Sequence, residues 1–110
     1  MRILVWDSSF KRALKRVVGK NAHLEAKIFE VLELLASEPF AQSLKPHKLR
    51  GPLEGLWACS VEYDCRIIYT FEQNTRSREE MIVLIDIGTH DEVYLALAPP
   101  SSRRRRSLFV

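Results

Sequence analysis

Cysteines are few in this sequence: only Cys59 and Cys65 are present. Two cysteines at this spacing form neither a disulfide framework nor a metal-binding pattern, so we expect reduced residues without a special role in a cytoplasmic protein.

Long apolar runs are also missing. Residues 81–85, for example, have only the length of a strand, whereas a membrane span needs ~20 residues. The first residues become charged too early for a secretory signal. A secreted, disulfide-stapled or membrane-embedded protein is therefore not expected, and we predict no membrane partner.

The composition that is present is that of one globular domain. Of the 110 residues, 46% are hydrophobic and 28% are charged, as in an ordinary soluble protein. No internal repeat interrupts this pattern. Two prolines and two serines followed by Arg103–Arg106 indicate a flexible basic tail over residues 99–110. We therefore predict a folded domain over residues 1–98.

Charge is unevenly distributed along the chain, whose net charge is +3. The first twenty residues carry six basic side chains and one acidic one, whereas residues 21–40 carry one basic and four acidic side chains. Basic patches beside an acidic one suit a polyanionic partner, most commonly nucleic acid. A solvated surface with a basic tail remains the alternative.

The first third of the sequence predicts a strand and two helices. Residues 2–6 form a β-rich run, and Asp7 with the two serines after it begins a helix that ends at Gly19. Asn21 is a good cap for a second helix, which ends before Pro39. Apolar residues recur at helical spacing in both segments, and the short connection predicts an antiparallel helical hairpin.

The remaining sequence changes to the alternating pattern of strands. Residues 44–49, interrupted by a proline, predict at best an edge strand, and residues 57–61 and 65–71 predict a hairpin. Residues 81–87 are apolar on both faces, which indicates a central strand. Thr89 and Glu92 have the capping-box spacing of a short last helix. The order predicts an α+β fold: an N-terminal strand and a helical hairpin packed on a small antiparallel sheet, with the helices on one face.

Three histidines are available for acid–base chemistry. His23 lies on the outer side of the second predicted helix and is expected to be solvated. His47 lies between Lys45 and Lys48, whose positive charges favour its neutral, basic form; an exposed loop histidine is the alternative. His90 falls on the first turn of the last helix, where the alternative is a polar residue near a cap.

Arg66 occupies a strand position among apolar neighbours. A charge there is costly unless it is paired or faces a functional groove. Asp86, on the next strand, is the structural partner that would explain it without a function. Asp64 adds a carboxylate at the same end of the hairpin.

These residue types suit cleavage of RNA. The 2′-hydroxyl is a built-in nucleophile, so the reaction needs a base, an acid and cations that hold the charge developing on phosphorus. His47, His90 and Arg66 supply these groups without a metal or cofactor. Lys45, Lys48 and Arg50 are candidate RNA-binding cations, and Tyr94 could stack on a base.

Three segments resemble motifs of the RelE superfamily of bacterial toxins. Residues 46–57 (PHKLRGPLEGLW) are similar to its H-x-L-x-G-x-L-x-G-x-W segment, and residues 63–69 (YDCRIIY) to its Y-D-x-R-I-I-Y hairpin. Residues 85–94 (IDIGTHDEVY) resemble the ending of YafQ-like members. The three motifs follow the expected order, and the likeness spans roughly residues 2–97.

The resemblance implies a RelE-like fold and a toxin of a type II toxin–antitoxin system. Such a toxin cleaves messenger RNA on the translating ribosome, is silenced by a cognate antitoxin and meets operator DNA only through the toxin–antitoxin complex. By position, His47, Asp64 and His90 match catalytic residues of the YafQ type, and Tyr94 matches an aromatic active-site position. Arg66 matches a phosphate-stabilising arginine.

One position departs from the YafQ pattern, and two other functions stay open. Ser60 stands where YafQ has a further histidine, in the strand before the hairpin turn. A ParE-like gyrase inhibitor could use the same scaffold, as could a non-catalytic module that binds antitoxin and operator DNA. The histidine set argues against gyrase inhibition, because inhibition by binding needs no acid–base pair.

Overall fold

The computed structural model describes residues 1–62 and 64–97. Its N-terminal part consists of strand β1 (Ile3–Trp6) and helices α1 (Ser8–Val18) and α2 (Ala22–Ser37). Helix α1 ends at Gly19, whose φ of 50° is a conformation that glycine adopts without strain. Helix α2 begins at Asn21, whose side-chain oxygen accepts a hydrogen bond from the Leu24 backbone N–H. The predicted strand and both helices are confirmed.

A five-stranded sheet makes up the second half. Its further strands are β2 (His47–Lys48), β3 (Trp57–Glu62), β4 (Cys65–Gln73) and β5 (Glu80–Thr89), followed by helix α3 (His90–Leu97). The strand order is β1-β5-β4-β3-β2, so β2 lies at an edge and β5 in the interior, as predicted. The sequence predicted a domain over residues 1–98 and a tail over residues 99–110. Residues 98–110 lie outside the described part of the chain, so the boundary between domain and tail stays a prediction.

The sheet is mixed and not purely antiparallel. The pairs from β2 to β5 are antiparallel, but β1 runs parallel to β5, with Ile3 opposite Met81 and Trp6 opposite Leu84. An alternating pattern defines the faces of a strand but not the direction of its partner. The helical hairpin and strands β2 to β4 separate β1 from β5 along the chain, and β5 returns beside β1 in the same direction.

The larger core lies between the helical hairpin and one face of the sheet, here called the helix face. Phe10, Ile28 and Leu35 of the two helices are fully buried there against Ile67 and Leu84 of the sheet. Burying each of these side chains stabilises the fold by roughly 1.5–3 kcal/mol. This core stabilises the sheet, whose other face is thereby held in a fixed position.

Helix α3 packs on the opposite face of the sheet, here called the open face, and corrects the expectation that all helices share one face. Val93 of α3 is fully buried in a small second cluster with Ala58 and Ile68 of the sheet and Leu49 and Leu53 of the loop after β2. Strand β5 is apolar on both sides because each of its faces is covered by a helix. The sequence showed the two apolar faces without showing which helix covers which.

Candidate active site

The N-terminus of α3 is held by a capping box. The Thr89 backbone N–H donates to Glu92 Oε1 at 2.9 Å, and the Glu92 backbone N–H donates to Thr89 Oγ1 at 3.2 Å. The hydrogen bond from the Thr89 backbone lowers the pKa of Glu92. The predicted cap is therefore confirmed, and it fixes the first residue of the helix, His90.

Gly88 allows this helix to lie close against β5. A Cβ added at Gly88 would lie 3.0 Å from Glu92 Oε1 and 3.5 Å from Val93 Cγ1. Glycine therefore gives α3 room to lie close to the sheet, because a larger residue would require the end of the Glu92 side chain to move.

Three of the predicted site residues meet at this junction. The His90 ring packs against Tyr94, one helical turn later, with centroids 4.2 Å apart and planes tilted by 37°. The His90 backbone N–H donates to Asp64 Oδ1 at 3.4 Å, which joins the β3–β4 turn to α3. Asp91 Oδ1 lies 3.5 Å from His90 Nδ1 and forms an ion pair whenever the ring is protonated. The imidazole remains half-exposed and accessible to a substrate.

Arg66 lies on the open face beside this group. Its register partners are Ser60 on β3 and Gly88 on β5, so the three positions form one row across the sheet. Burial raises the pKa of Tyr94, and the nearby Arg66 charge opposes that shift. Ser60, the position where the YafQ pattern has histidine, therefore stands next to Arg66 in the same row.

His47 faces the same side from the edge of the sheet. It is paired with Ala58, a member of the open-face cluster. From strand spacing and rise, its Cα lies about 12 Å from that of Arg66. The fold thus brings together Asp64, Arg66, His90 and Tyr94, and leaves His47 across the open face of the sheet.

The tautomer of His47 follows from one contact. Its Nδ1 lies 3.1 Å from the Lys45 carbonyl oxygen, and a carbonyl can only accept a hydrogen bond. Nδ1 therefore carries the proton in the neutral ring, and the lone pair is on Nε2. Lys45 has a left-handed backbone, with φ of 49°, which turns its carbonyl toward the ring.

The candidate RNA-binding cations cluster around His47. A cavity of about 690 Å³ is lined by His47, Lys48, Arg50, Glu54 and Trp57 together with the loop between β2 and β3. Lys48 pairs with Trp57, and its ammonium lies 5.7 Å from the centre of that ring, on the helix face. Neighbouring residues on a strand point to opposite sides, so Lys48 and His47 face opposite ways.

A bulge in β5 was not foreseen from the sequence. Ile68 is paired with Asp86 and Tyr69 with Leu84, so Ile85 is the extra residue. Its carbonyl oxygen lies 2.7 Å from Ser9 Oγ, on α1. The bulge redirects the last residues of β5 toward the site. Nothing in the local pattern marks such a long-range hydrogen bond.

The pKa of Asp86 is affected by a charge on α1. Burial raises its pKa, while a hydrogen bond from the Ile87 backbone N–H and the charge of Arg16 oppose the shift. Arg16 also acts on Glu92, so it links α1 electrostatically to the start of α3.

The remaining candidates lie outside this site. His23 is 84% exposed, as expected, with Nε2 3.3 Å from Glu62 Oε1. Both cysteines are free, and burial raises the pKa of Cys59 to about 12 and that of Cys65 to about 11. Tyr63 of the hairpin motif lies outside the described residues. Within residues 1–62 and 64–97, no group of side chains is arranged to hold a metal ion, and no helix is long and apolar enough to cross a membrane.

A match over nearly the whole folded region assigns the family. The model of the family described as "Bacterial toxin of type II toxin-antitoxin system, YafQ" matches residues 2–95. The chain belongs to this family. It is therefore a toxin of the type II toxin–antitoxin class, and the resemblance seen in the three motifs is confirmed. No curated protein matches the chain significantly.

Solved structures agree with the YafQ-like fold. A metal-bound toxin from Helicobacter pylori is 26% identical, with a TM-score of 0.67 over 84% of this chain and 99% of that one. YafQ from Escherichia coli is 19% identical, with a TM-score of 0.65 over 86% and 99% of the two chains. The toxin–antitoxin complex of Escherichia coli DinJ and YafQ gives 21% identity and a TM-score of 0.60 over 84% and 97%.

Proposed function

We propose that this toxin is a ribosome-dependent endoribonuclease that cleaves messenger RNA by metal-free acid–base chemistry. The 2′-oxygen attacks the adjacent phosphorus, the bond from phosphorus to the 5′-oxygen breaks, and a cyclic phosphate and a 5′-hydroxyl result. One group must remove the proton from the 2′-hydroxyl, and another must protonate the departing 5′-oxygen.

His47 is the general base in this proposal. Its Nδ1 proton is engaged by the Lys45 carbonyl, so Nε2 is left with a lone pair that can accept the 2′-hydroxyl proton. The ring is exposed at the sheet edge, where an RNA strand can reach it.

His90 is the general acid. Asp91 forms an ion pair with the protonated ring, and Tyr94 supports one ring face. Asp64 positions this group, because its carboxylate accepts the hydrogen bond from the His90 backbone. Tyr94 also offers a surface on which a splayed base can stack.

Arg66 stabilises the charge that develops on the phosphate. A guanidinium on the open face, between the two histidines, can donate two parallel hydrogen bonds to phosphate oxygens. The separation of about 12 Å between the backbones of His47 and Arg66 leaves room for a phosphodiester between long side chains.

The dependence on the ribosome follows from the openness of the site. The His90 side chain is 53% exposed, and His47 is also exposed, at the sheet edge. Such a site orients RNA poorly by itself, whereas a message held in the ribosome is already positioned. We place the reaction in the cytoplasm for the same reason.

The observation that carries the proposal is the ring pair His90–Tyr94, tied to Asp64 beside Arg66. The test is primer extension on a reporter message after induction of the wild type, His90→Ala or His23→Ala. We expect new 5′ ends within the reading frame for the wild type and for His23→Ala, whose exposed ring lies on α2, and none for His90→Ala.

Other outcomes would redirect the assignment. Growth arrest by all three proteins without new 5′ ends would remove the nuclease proposal and favour gyrase inhibition. Antitoxin binding without arrest or cleavage would favour a non-catalytic module. Purified toxin that cuts free message as fast as ribosome-bound message would contradict the ribosome dependence alone.

A cognate antitoxin is the proposed protein partner. The solved complex of DinJ and YafQ, which has a similar fold and is a toxin–antitoxin complex, supports a partner of this class. We expect an acidic antitoxin segment that masks Lys48, Arg50 and Arg66, with operator DNA reached only through the complex. The basic face of α1 offers a second contact, because Lys11, Arg12 and Lys15 border an apolar groove floored by Trp6 and Phe29.

Antitoxin masking can be tested separately from catalysis. Charge-neutralising substitutions at Lys48, Arg50 and Arg66 should weaken the affinity for the antitoxin, measured by calorimetry. Unchanged affinity would show that the antitoxin acts elsewhere on the toxin.

A further inference from the structure

An aromatic cluster lies on the helix face, across the sheet edge from His47. Phe40, Trp57 and Phe71 form it: the Phe40 ring stacks on Phe71 with centroids 5.6 Å apart and contacts Trp57 edge-on at 5.6 Å. Trp57 and Phe71 are partly buried against the core, but Phe40 is 59% exposed. Packing of the core therefore does not account for the position of the Phe40 ring.

Positive charge lies on the Trp57 side of this aromatic cluster, whereas Arg2, Glu72 and Glu80 line the cavity beside Phe40 and Phe71. The Lys48 ammonium lies 5.7 Å above Trp57, and Arg50 lines the same cavity as Trp57. Glu54 is the acidic side chain that this cavity contains. Aromatic faces beside cations are the combination that binds single-stranded nucleic acid, since bases stack on the rings and phosphates meet the cations.

The aromatic cluster is continuous with the proposed active site. The cavity of about 690 Å³ is lined by both His47 and Trp57, although these side chains belong to opposite faces. Strand β2 is only two residues long and lies last in the sheet. An RNA strand that passes His47 therefore has only the edge of β2 to cross before it reaches Lys48 and Trp57.

We infer that Phe40 and Trp57, with Lys48, form a stacking subsite for a single-stranded nucleotide that flanks the cleaved bond. The inference rests on the proposed function and adds the part of the substrate that lies outside the reacting phosphate. Because every base has a flat face, this subsite contributes affinity for unpaired RNA more than selection of one base.

The subsite can be measured without cleavage. The probe is a short single-stranded oligoribonucleotide that is 2′-O-methylated and therefore lacks the nucleophilic hydroxyl. It should quench tryptophan fluorescence of the full chain on binding. Trp57→Phe should abolish that quenching and retain most of the affinity, because phenylalanine keeps an aromatic face.

Phe40→Leu should weaken the binding of this probe by about fivefold, as expected for loss of one exposed stacking ring. Phe29→Leu is the matched control: it removes a ring that is 45% exposed and lies on α2, outside the aromatic cluster. Phe29 belongs to the groove proposed for the antitoxin, which is absent from this assay, so the affinity for the RNA probe should be unchanged. Lys48→Gln should reduce the slope of log affinity against log salt by about 0.7. A duplex of the same sequence should bind more weakly than the single strand.

Equal affinities for the wild type, Phe40→Leu and Phe29→Leu would overturn the subsite, as would equal binding of the duplex. Loss of probe binding in Phe40→Leu together with absence of cleavage by the wild type would keep the subsite and remove the nuclease proposal. Cleavage by the wild type, together with an unaltered KM in Phe40→Leu, would keep the nuclease proposal and remove the subsite.

Discussion

The two faces of the sheet differ in what covers them. On the helix face, α1 and α2 bury large side chains such as Phe10, Ile28 and Leu35 completely. On the open face, a small cluster around Val93 and Ile68 leaves much of the surface to His47, Arg66 and the start of α3. One sheet therefore carries most of the stabilising burial on one side and most of the candidate chemistry on the other.

This division places polar groups where they cost least. Arg66 does not interrupt the large core, because alternate residues of one strand point to opposite faces. His90 does not interrupt it because it begins α3, which packs on the open face. Substitutions of the exposed polar residues on the open face should thus alter activity with little effect on stability, and substitutions of the buried core residues on the helix face should do the reverse. The contrast can be tested one residue at a time.

The largest effect is expected at the two histidines. His47→Ala and His90→Ala should each lower the rate of cleavage of ribosome-bound message by about 10²–10⁴-fold, the usual contribution of general acid–base catalysis. Their melting temperatures should stay close to that of the wild type, because both rings are exposed. Single-turnover kinetics and thermal unfolding measure the two quantities, and a large loss of stability would contradict the separation of the faces.

Phe10→Ala should have the opposite signature. Phe10 of α1 is fully buried on the side of the helix that packs on the sheet. Its truncation should lower the free energy of unfolding by about 3–5 kcal/mol. Urea denaturation of the purified protein measures this change. A stability loss below about 1 kcal/mol would show that the core around Phe10 collapses into the space left behind.

Gly88→Ala tests the junction between the faces. The added Cβ would lie 3.0 Å from the end of the Glu92 side chain, which can move, so we expect a stability loss of only about 1 kcal/mol. Glu92 caps α3, and this cap positions His90. The rate of cleavage should therefore fall clearly even though the free energy of unfolding changes little. Equal cleavage rates for the two proteins would indicate that α3 tolerates the displacement.

The smallest effect is expected at the cap of α2. Asn21→Ala removes the hydrogen bond to the Leu24 N–H and should cost about 1 kcal/mol of stability. Cleavage at a temperature well below unfolding should be unchanged, because α2 lies behind the helix face. Asn21→Ser, which keeps a capping oxygen, should recover most of the stability.

Local features of this fold could be predicted from the sequence. Gly19, Asn21 and the pair Thr89–Glu92 mark helix ends through chemistry within a few residues, and each acts as the pattern indicated. The two apolar sides of β5 likewise predicted an interior strand.

Features that depend on distant residues could not be predicted. The parallel pairing of β1 with β5 and the bond from Ser9 to the Ile85 bulge join segments more than seventy residues apart. For the candidate site, the residue types and the motif order were visible in the sequence. The face of the sheet on which His47 and Lys48 each lie was not, because it depends on the register of a two-residue strand.

The parallel contact between β1 and β5 also has a temporal consequence. Ile3 is synthesised well before its partner Met81, which comes almost eighty residues later. Until β5 emerges, β1 has no neighbour in the sheet and α3 has no strand to continue from. Contacts of such high sequence separation form late and slowly. A growing chain that lacks β5 and α3 therefore carries no complete candidate site, and the proposed cleavage has to wait until both elements have been made.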